Sequence, residues 1–149
     1  MTYRELTAAD LPTIFAIRIE AWDETQEQIE QEMQELDITL ESVAAMLEAG
    51  THHGWVGECD ERVIGFVMAV RETAEVWVIG VLRAYQGRGI GRQLMTLAED
   101  WLRSCRHQEA WLHTFTVDDH PSVLFYRKLG WVDCSVDKVR KMKKSLPSQ

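Results

Sequence analysis

Apolar and polar positions recur along the chain with two different periods, and the change of period divides it into segments. Leu11, Ile14, Phe15, Ile17, Ala21 and Trp22 return every three to four residues, as on a helix with one buried face. Pro12 falls in the first turn, where a missing N–H costs little, and Thr7 or Asp10 stands where a cap belongs. Ahead of it, "TYREL" reads as a short strand. The acid-rich segment that follows predicts a second helix. "LESVAAMLEAG" ends as a helix does, with Gly50 as the C′ residue.

The period then shortens. "HGWVGEC", "RVIGFVMAV" and "AEVWVIGVL" are rich in β-branched and aromatic residues and are separated by "DE" and "RETA", which predicts an antiparallel meander of three strands. Ile90, Leu94, Leu97, Ala98, Trp101, Leu102 and Cys105 restore helical spacing. "EAWLHTF" is a strand, "PSVLFYRKL" a short helix closed by Gly130, and "WVDCSV" begins a final strand or hairpin. The order is β-α-α-β-β-β-α-β-α-β with room for one more strand, a mixed α/β (α+β) class.

Composition adds limits. The chain has 149 residues, 46% hydrophobic and 27% charged, with no repeat or low-complexity linker, so a single domain over 1–149 is expected. The longest uncharged apolar run, "VWVIGVL", is far short of the roughly 20 residues that cross a bilayer, and "MTYRELTAAD" does not read as a signal peptide. A cytoplasmic protein without membrane partners is expected. Cys59, Cys105 and Cys134 are far apart with no CxxC pair, which predicts free buried thiols and neither disulfide nor metal site. A net charge of −8 argues against general nucleic-acid binding. That charge is uneven: residues 23–41 hold eight acids and no base, and residues 138–144, "KVRKMKK", five bases and no acid.

The candidate chemistry lies in "RAYQGRGIGRQLM", residues 83–95. A strand, a glycine-rich turn and a helix start make an anion site, because the first N–H groups of a helix lack internal partners and the helix dipole favours negative charge there. Glycine lets a phosphate approach the backbone without a Cβ in the way. Arg88 and Arg92 can add charge-assisted contacts. A P-loop would end in Gly-Lys-Ser/Thr, whereas this turn has Gly91-Arg92-Gln93. A dinucleotide fingerprint needs G-x-G-x-x-G, and here the third glycine falls one place early.

Gln86-x-x-Gly89-x-Gly91, after an apolar strand and before an amphipathic helix, resembles the GNAT superfamily of N-acetyltransferases. "DDHPSVLFYRKLGW", residues 118–131, resembles that family's later segment, and the element order matches over nearly the whole chain. The resemblance implies a mostly antiparallel central sheet of six to seven strands, flanked by about four helices and splayed between the fourth and fifth strands. It implies acetyl-CoA as acetyl donor, cradled at the pyrophosphate by Gln86, Gly87, Arg88, Gly89, Ile90, Gly91 and Arg92. Main-chain groups of Ile79 and Val81 would hold the pantetheine arm, and an amide there would polarise the thioester carbonyl.

By the same resemblance Tyr126 stands where the general acid does, and Glu75 aligns with the base of the histone-modifying branch. As residues alone, Tyr126 also fits a core aromatic and Glu75 a solvated strand end. Glu72 is a weaker candidate, and His52, His53 and His113 are possible proton carriers. The chain departs from the pattern at Arg83, where proline is common, in "TVDDH", and at Asp119, where asparagine usually contacts the cofactor and a carboxylate either weakens that contact or serves as a helix cap.

The implied reaction is acetyl transfer to a primary amine, on a small molecule or a peptide, by direct attack in a ternary complex. The alternative is an acyl-CoA sensor or interaction module without turnover. The acidic run from Asp23 to Glu41 would steer a cationic acceptor, or is simply a solvated helix face. Monomer and homodimer both stay open: a basic edge strand near 138–144 could pair between subunits, or protect a monomer's edge.

Overall fold

The computed structural model describes residues 1–22 and 25–148. Asp23 and Glu24, the first acids of the acidic run, lie outside the described residues. The chain begins with strand β1 (Thr2–Glu5), a one-turn 3-10 segment at 8–10, and helix α1 (Leu11–Trp22). Both predicted cap residues take part: the Asp10 carboxylate accepts from the Thr7 main-chain N–H at 2.8 Å and from the Arg4 guanidinium. Leu11, Ile14 and Ile17 are buried as their spacing requires.

Two further helices follow, α2 (Gln26–Glu35) and α3 (Leu40–Ala49), which makes five α-helices among the described residues in place of about four. The break falls at Asp37, which takes a left-handed φ of 56°, and at Thr39, whose hydroxyl accepts the Ser42 N–H at 3.0 Å and starts α3 afresh. Gly50 ends α3 at φ 78°, the left-handed conformation expected of it.

Strands β2 (His52–Cys59), β3 (Arg62–Val70) and β4 (Val76–Val81) form the predicted meander, and β1 pairs with β2, giving a four-stranded antiparallel sheet. Helix α4 (Ile90–Ser104) covers one face with Ile90, Leu94, Met95, Ala98 and Leu102, while α1 packs on the other face against β3 and β4. Strand β5 (Glu109–Thr114), helix α5 (Pro121–Lys128) and strands β6 (Val132–Val136) and β7 (Arg140–Ser145) complete the chain.

The last three strands form a second antiparallel sheet in the order β5-β7-β6. The basic segment is therefore not an edge. β7 lies between its neighbours, with Arg140 and Met142 fully buried and Lys141 and Lys143 less so, and β6 is the edge. Arg140 tolerates this position because carboxylates and carbonyls surround its guanidinium. The cysteines are free, but none is buried as expected: Cys59 and Cys105 are half-buried, and Cys134, on the edge strand, is exposed.

Candidate active site

The two sheets meet at one parallel bridge between Glu75 and Trp111, where the Trp111 N–H reaches the Ala74 carbonyl at 3.1 Å. Beyond it β4 and β5 diverge, so the fork opens between the fourth and fifth strands. The bond from Leu82 N–H to the Ile64 carbonyl sets the parity of the β3–β4 ladder. Phe66/Gly80 and Met68/Val78 then exchange hydrogen bonds, and Ile79 and Val81 turn their main-chain groups away from β3 toward the fork. Their carbonyls are already engaged. Trp22 Nε1 donates to Ile79 at 2.9 Å, and Gln86 Nε2 donates to Val81 at 2.9 Å. The main-chain N–H groups of both residues remain on the fork side.

The Gln86 side chain is thus a tether for the end of β4, and only its backbone belongs to the turn. Gly87 and Gly89 take φ of 80° and 83°, and a Cβ at either would meet nothing within 4 Å. Their value is the left-handed backbone and open space over it. The ladder of α4 starts at Gln93 N–H, which bonds Gly89 O at 3.1 Å, so the N–H groups of Ile90, Gly91 and Arg92 precede it. Arg88 lies over the Tyr85 ring at 5.4 Å, and Arg92 is exposed in the first helical turn.

Gly91 differs from the other two. A Cβ there would come within 3.1 Å of the Phe125 ring, so its glycine lets α4 approach α5. Gly91→Val should therefore overpack this contact and lower the melting temperature by about 5 °C, read by thermal unfolding.

Under the fork lies a cavity of about 890 Å³ bounded by α1, α2, α3 and the strand ends. Glu75 and Tyr126 both line it. The Glu75 carboxylate has no ion-pair or hydrogen-bond partner among the described residues, and burial raises its pKa above the ordinary 4.5. Tyr126, on α5, is only 5% exposed, and burial pushes its phenol well above the usual range. Its ring packs against Phe125 and Trp131.

The other candidates separate. His52 and His113 line the cavity, and burial lowers both, helped at His113 by Lys141. His53 is held elsewhere, between Trp55 and Trp101 and 3.2 Å from Glu5. Glu72 is exposed. Asp119 is exposed in the turn before α5 and is not the helix cap; His120 Nδ1 accepts the Ser122 N–H at 3.1 Å instead.

Two residues with large structural consequences were missed by sequence reasoning. Arg140 gathers the segment between β5 and α5 from beneath, and Trp22 closes part of the fork, reaching from Ile79 to the Phe115 ring at 5.5 Å. Trp22 could have been suspected, since a buried indole needs an acceptor for its N–H.

The family model for the acetyltransferase (GNAT) family matches residues 13–131. The chain belongs to this family. Among solved structures, the GNAT chain resembles the PaiA N-acetyltransferase of Thermoplasma acidophilum, in complex with coenzyme A, with a TM-score of 0.81, 20% identity, and 97% of this chain and 99% of that one covered. The ribosomal-protein-alanine N-acetyltransferase of Brucella melitensis gives 0.69 at 20% identity, over 98% and 100% of the two chains. An aminoglycoside 6'-acetyltransferase type Ii gives 0.72 at 17%, over 100% and 99%. At these identities the likeness is one of fold. No curated protein matches the GNAT chain closely enough in sequence to count.

Proposed function

We propose that the protein transfers an acetyl group from acetyl-CoA to a primary amine by direct attack in a ternary complex. One observation carries this reading: an unpartnered carboxylate, Glu75, and a buried phenol, Tyr126, line the same cavity beneath the β4–β5 fork. The PaiA structure, of the same fold, holds coenzyme A.

The residues present fit the donor. Gly87 and Gly89 leave the backbone open, the N–H groups of Ile90, Gly91 and Arg92 precede the helix ladder, and Arg88 and Arg92 add positive charge for a pyrophosphate. The N–H groups of Ile79 and Val81 accept the role of partners for an amide-bearing arm. Gln86 holds the turn against β4. Asp119, exposed ahead of α5, is assigned a contact to donor hydrogens rather than to phosphate, because it is a carboxylate.

Acetyl-CoA, when bound, supplies a thioester: a C–N bond to the amine forms, the C–S bond breaks, and the electron pair leaves on sulfur. An ammonium has no lone pair, so Glu75 takes its proton, directly or through water. Burial raises the Glu75 pKa toward the pH at which a base works best. Tyr126 holds its Oη proton through neutral pH and gives it to the departing sulfur.

The test is incubation of the purified chain with acetyl-CoA and an amine panel, following free thiol and the acetylated amine together. Stoichiometric release of both is the expected result. Tight acetyl-CoA binding without turnover of any amine would instead make the protein a sensor.

A pH profile tests the base. Glu75 accepts a proton only when ionised, so log kcat/KM should climb with pH on an acid limb whose midpoint lies above 4.5. Glu75→Gln should flatten that limb and lower the rate by about ten- to a hundredfold. An unchanged limb would move the role to His52 or His113.

A further inference from the structure

The acidic run would steer a cationic acceptor or is simply a solvated helix face, and the cavity beside it has a character of its own. Helix α2 lines it with buried Ile29, half-buried Met33 and the exposed Glu32, and Leu36 just past its end lines it too, while Glu27, Glu30 and Glu35 are not among the lining residues. Of the carboxylates that line the cavity, Glu32 is engaged by Arg18. Among the described residues that leaves Glu75 as the one lining carboxylate without a partner. Arg18 and Lys138 also line the walls, and His52 and His113 have pKa values lowered by burial, so they stay neutral.

This arrangement can neutralise one ammonium. A second one, carried into the same cavity, would sit among apolar walls and near Lys138, which is costly for an unpaired charge. The walls themselves ask for carbon. Trp22, Trp77, Trp111 and Phe15 contribute aromatic surface. Leu36, Leu40, Phe115 and Val139, four of the nine large apolar side chains exposed among the described residues, all line this cavity. Exposed apolar surface concentrated at one concave site marks a place where an apolar ligand is taken up.

We propose that the acceptor is a monoamine with a bulky apolar or aromatic body, held between α1, α2 and the fork, with its ammonium at Glu75. This rests on the acetyl-transfer reading above. The outward acids of α2 still attract the cation from solution, and the inner walls select its body. Discrimination then follows carbon buried rather than charges paired.

The test uses the full chain with acetyl-CoA and free-thiol detection, comparing phenethylamine, tryptamine and hexylamine with putrescine, spermidine and kanamycin. Aromatic monoamines should exceed the polycations in kcat/KM by at least about thirtyfold, the factor that burying a phenyl-sized group is worth. Met33→Glu, on the half-exposed inner side of α2, should lower the phenethylamine preference at least about tenfold while the protein still melts cooperatively. Binding is read separately, by quenching of tryptophan fluorescence in the CoA-saturated protein. Phenethylamine binding without turnover supports the cavity assignment and removes acetyl transfer. A preference for spermidine or kanamycin overturns the cavity assignment and leaves acetyl transfer standing. No monoamine binding at all overturns it too.

Discussion

Tyr126→Phe should lower kcat by at least about tenfold and leave acetyl-CoA affinity nearly unchanged. The substitution keeps the ring that packs against Phe125 and Trp131 and removes only the hydroxyl, so it opens no cavity in a site where the side chain is 5% exposed. Thermal unfolding should therefore move little, which separates a catalytic loss from a folding one. Burial holds the phenol well above its usual range, so the wild-type profile should show no alkaline limb from Tyr126 near neutral pH. The proton is present throughout and is drawn on only as negative charge develops on sulfur. Unchanged turnover would make Tyr126 a core aromatic, the alternative its helical neighbours allow. Its place on α5 agrees with either, and the kinetics decide.

The parts of this site that were legible in sequence are those encoded locally. Three glycines before an apolar helical repeat cannot be inside a helix without cost, so a turn and helix start at Gly89 follow from residues 83–95 alone. The meander follows from runs of Val, Ile and Trp. Distinctions among the glycines were not legible: Gly91 answers to Phe125, a residue far along the chain, whereas Gly87 and Gly89 answer to their own φ. The division of α2 from α3 depended on a Thr39–Ser42 capping box inside a segment whose acids read continuously as helix. The basic run read as an edge because charge normally avoids the interior; its burial depends on acceptors supplied by Phe115, Thr116, Asp118 and Asp133, which no local pattern reveals. The acidic run read as one charged surface, yet its period places Ile29 and Met33 on the opposite side from most of the acids.

Arg140→Met should lower the melting temperature by about 10 °C and also reduce kcat when assayed well below that temperature. Arg140 has 0% relative exposure, and its guanidinium donates to four acceptors. Nε reaches the Phe115 carbonyl at 2.9 Å, one terminal nitrogen reaches Asp133 at 2.7 Å, and the other reaches the Thr116 carbonyl at 2.8 Å and Asp118. Methionine fills much of the volume and satisfies none of them. The carbonyls at 115 and 116 would then be buried without donors or would turn toward water, and Asp133 would keep only Arg127, at 3.0 Å. Either outcome shifts the segment that places Phe115 and Thr116 in the cavity and leads through the His120 cap into the helix bearing Tyr126. Phe115 also stacks on His120 at 3.9 Å, so a displaced carbonyl is transmitted directly to the start of α5. Arg140→Lys should lose roughly half as much stability, because a single ammonium keeps the charge but cannot fork to both carbonyls and both carboxylates. Acid should weaken the clamp even in the wild type: Arg140 first, then Arg127, hold the Asp133 pKa below the usual carboxylate range. That contribution is present above the ordinary carboxylate pKa and is lost as pH falls through the depressed one. The acid shift of the melting curve should therefore shrink in Arg140→Met. If kcat stays at the wild-type value while only the melting temperature falls, Arg140 supports the fold alone and does not position Tyr126.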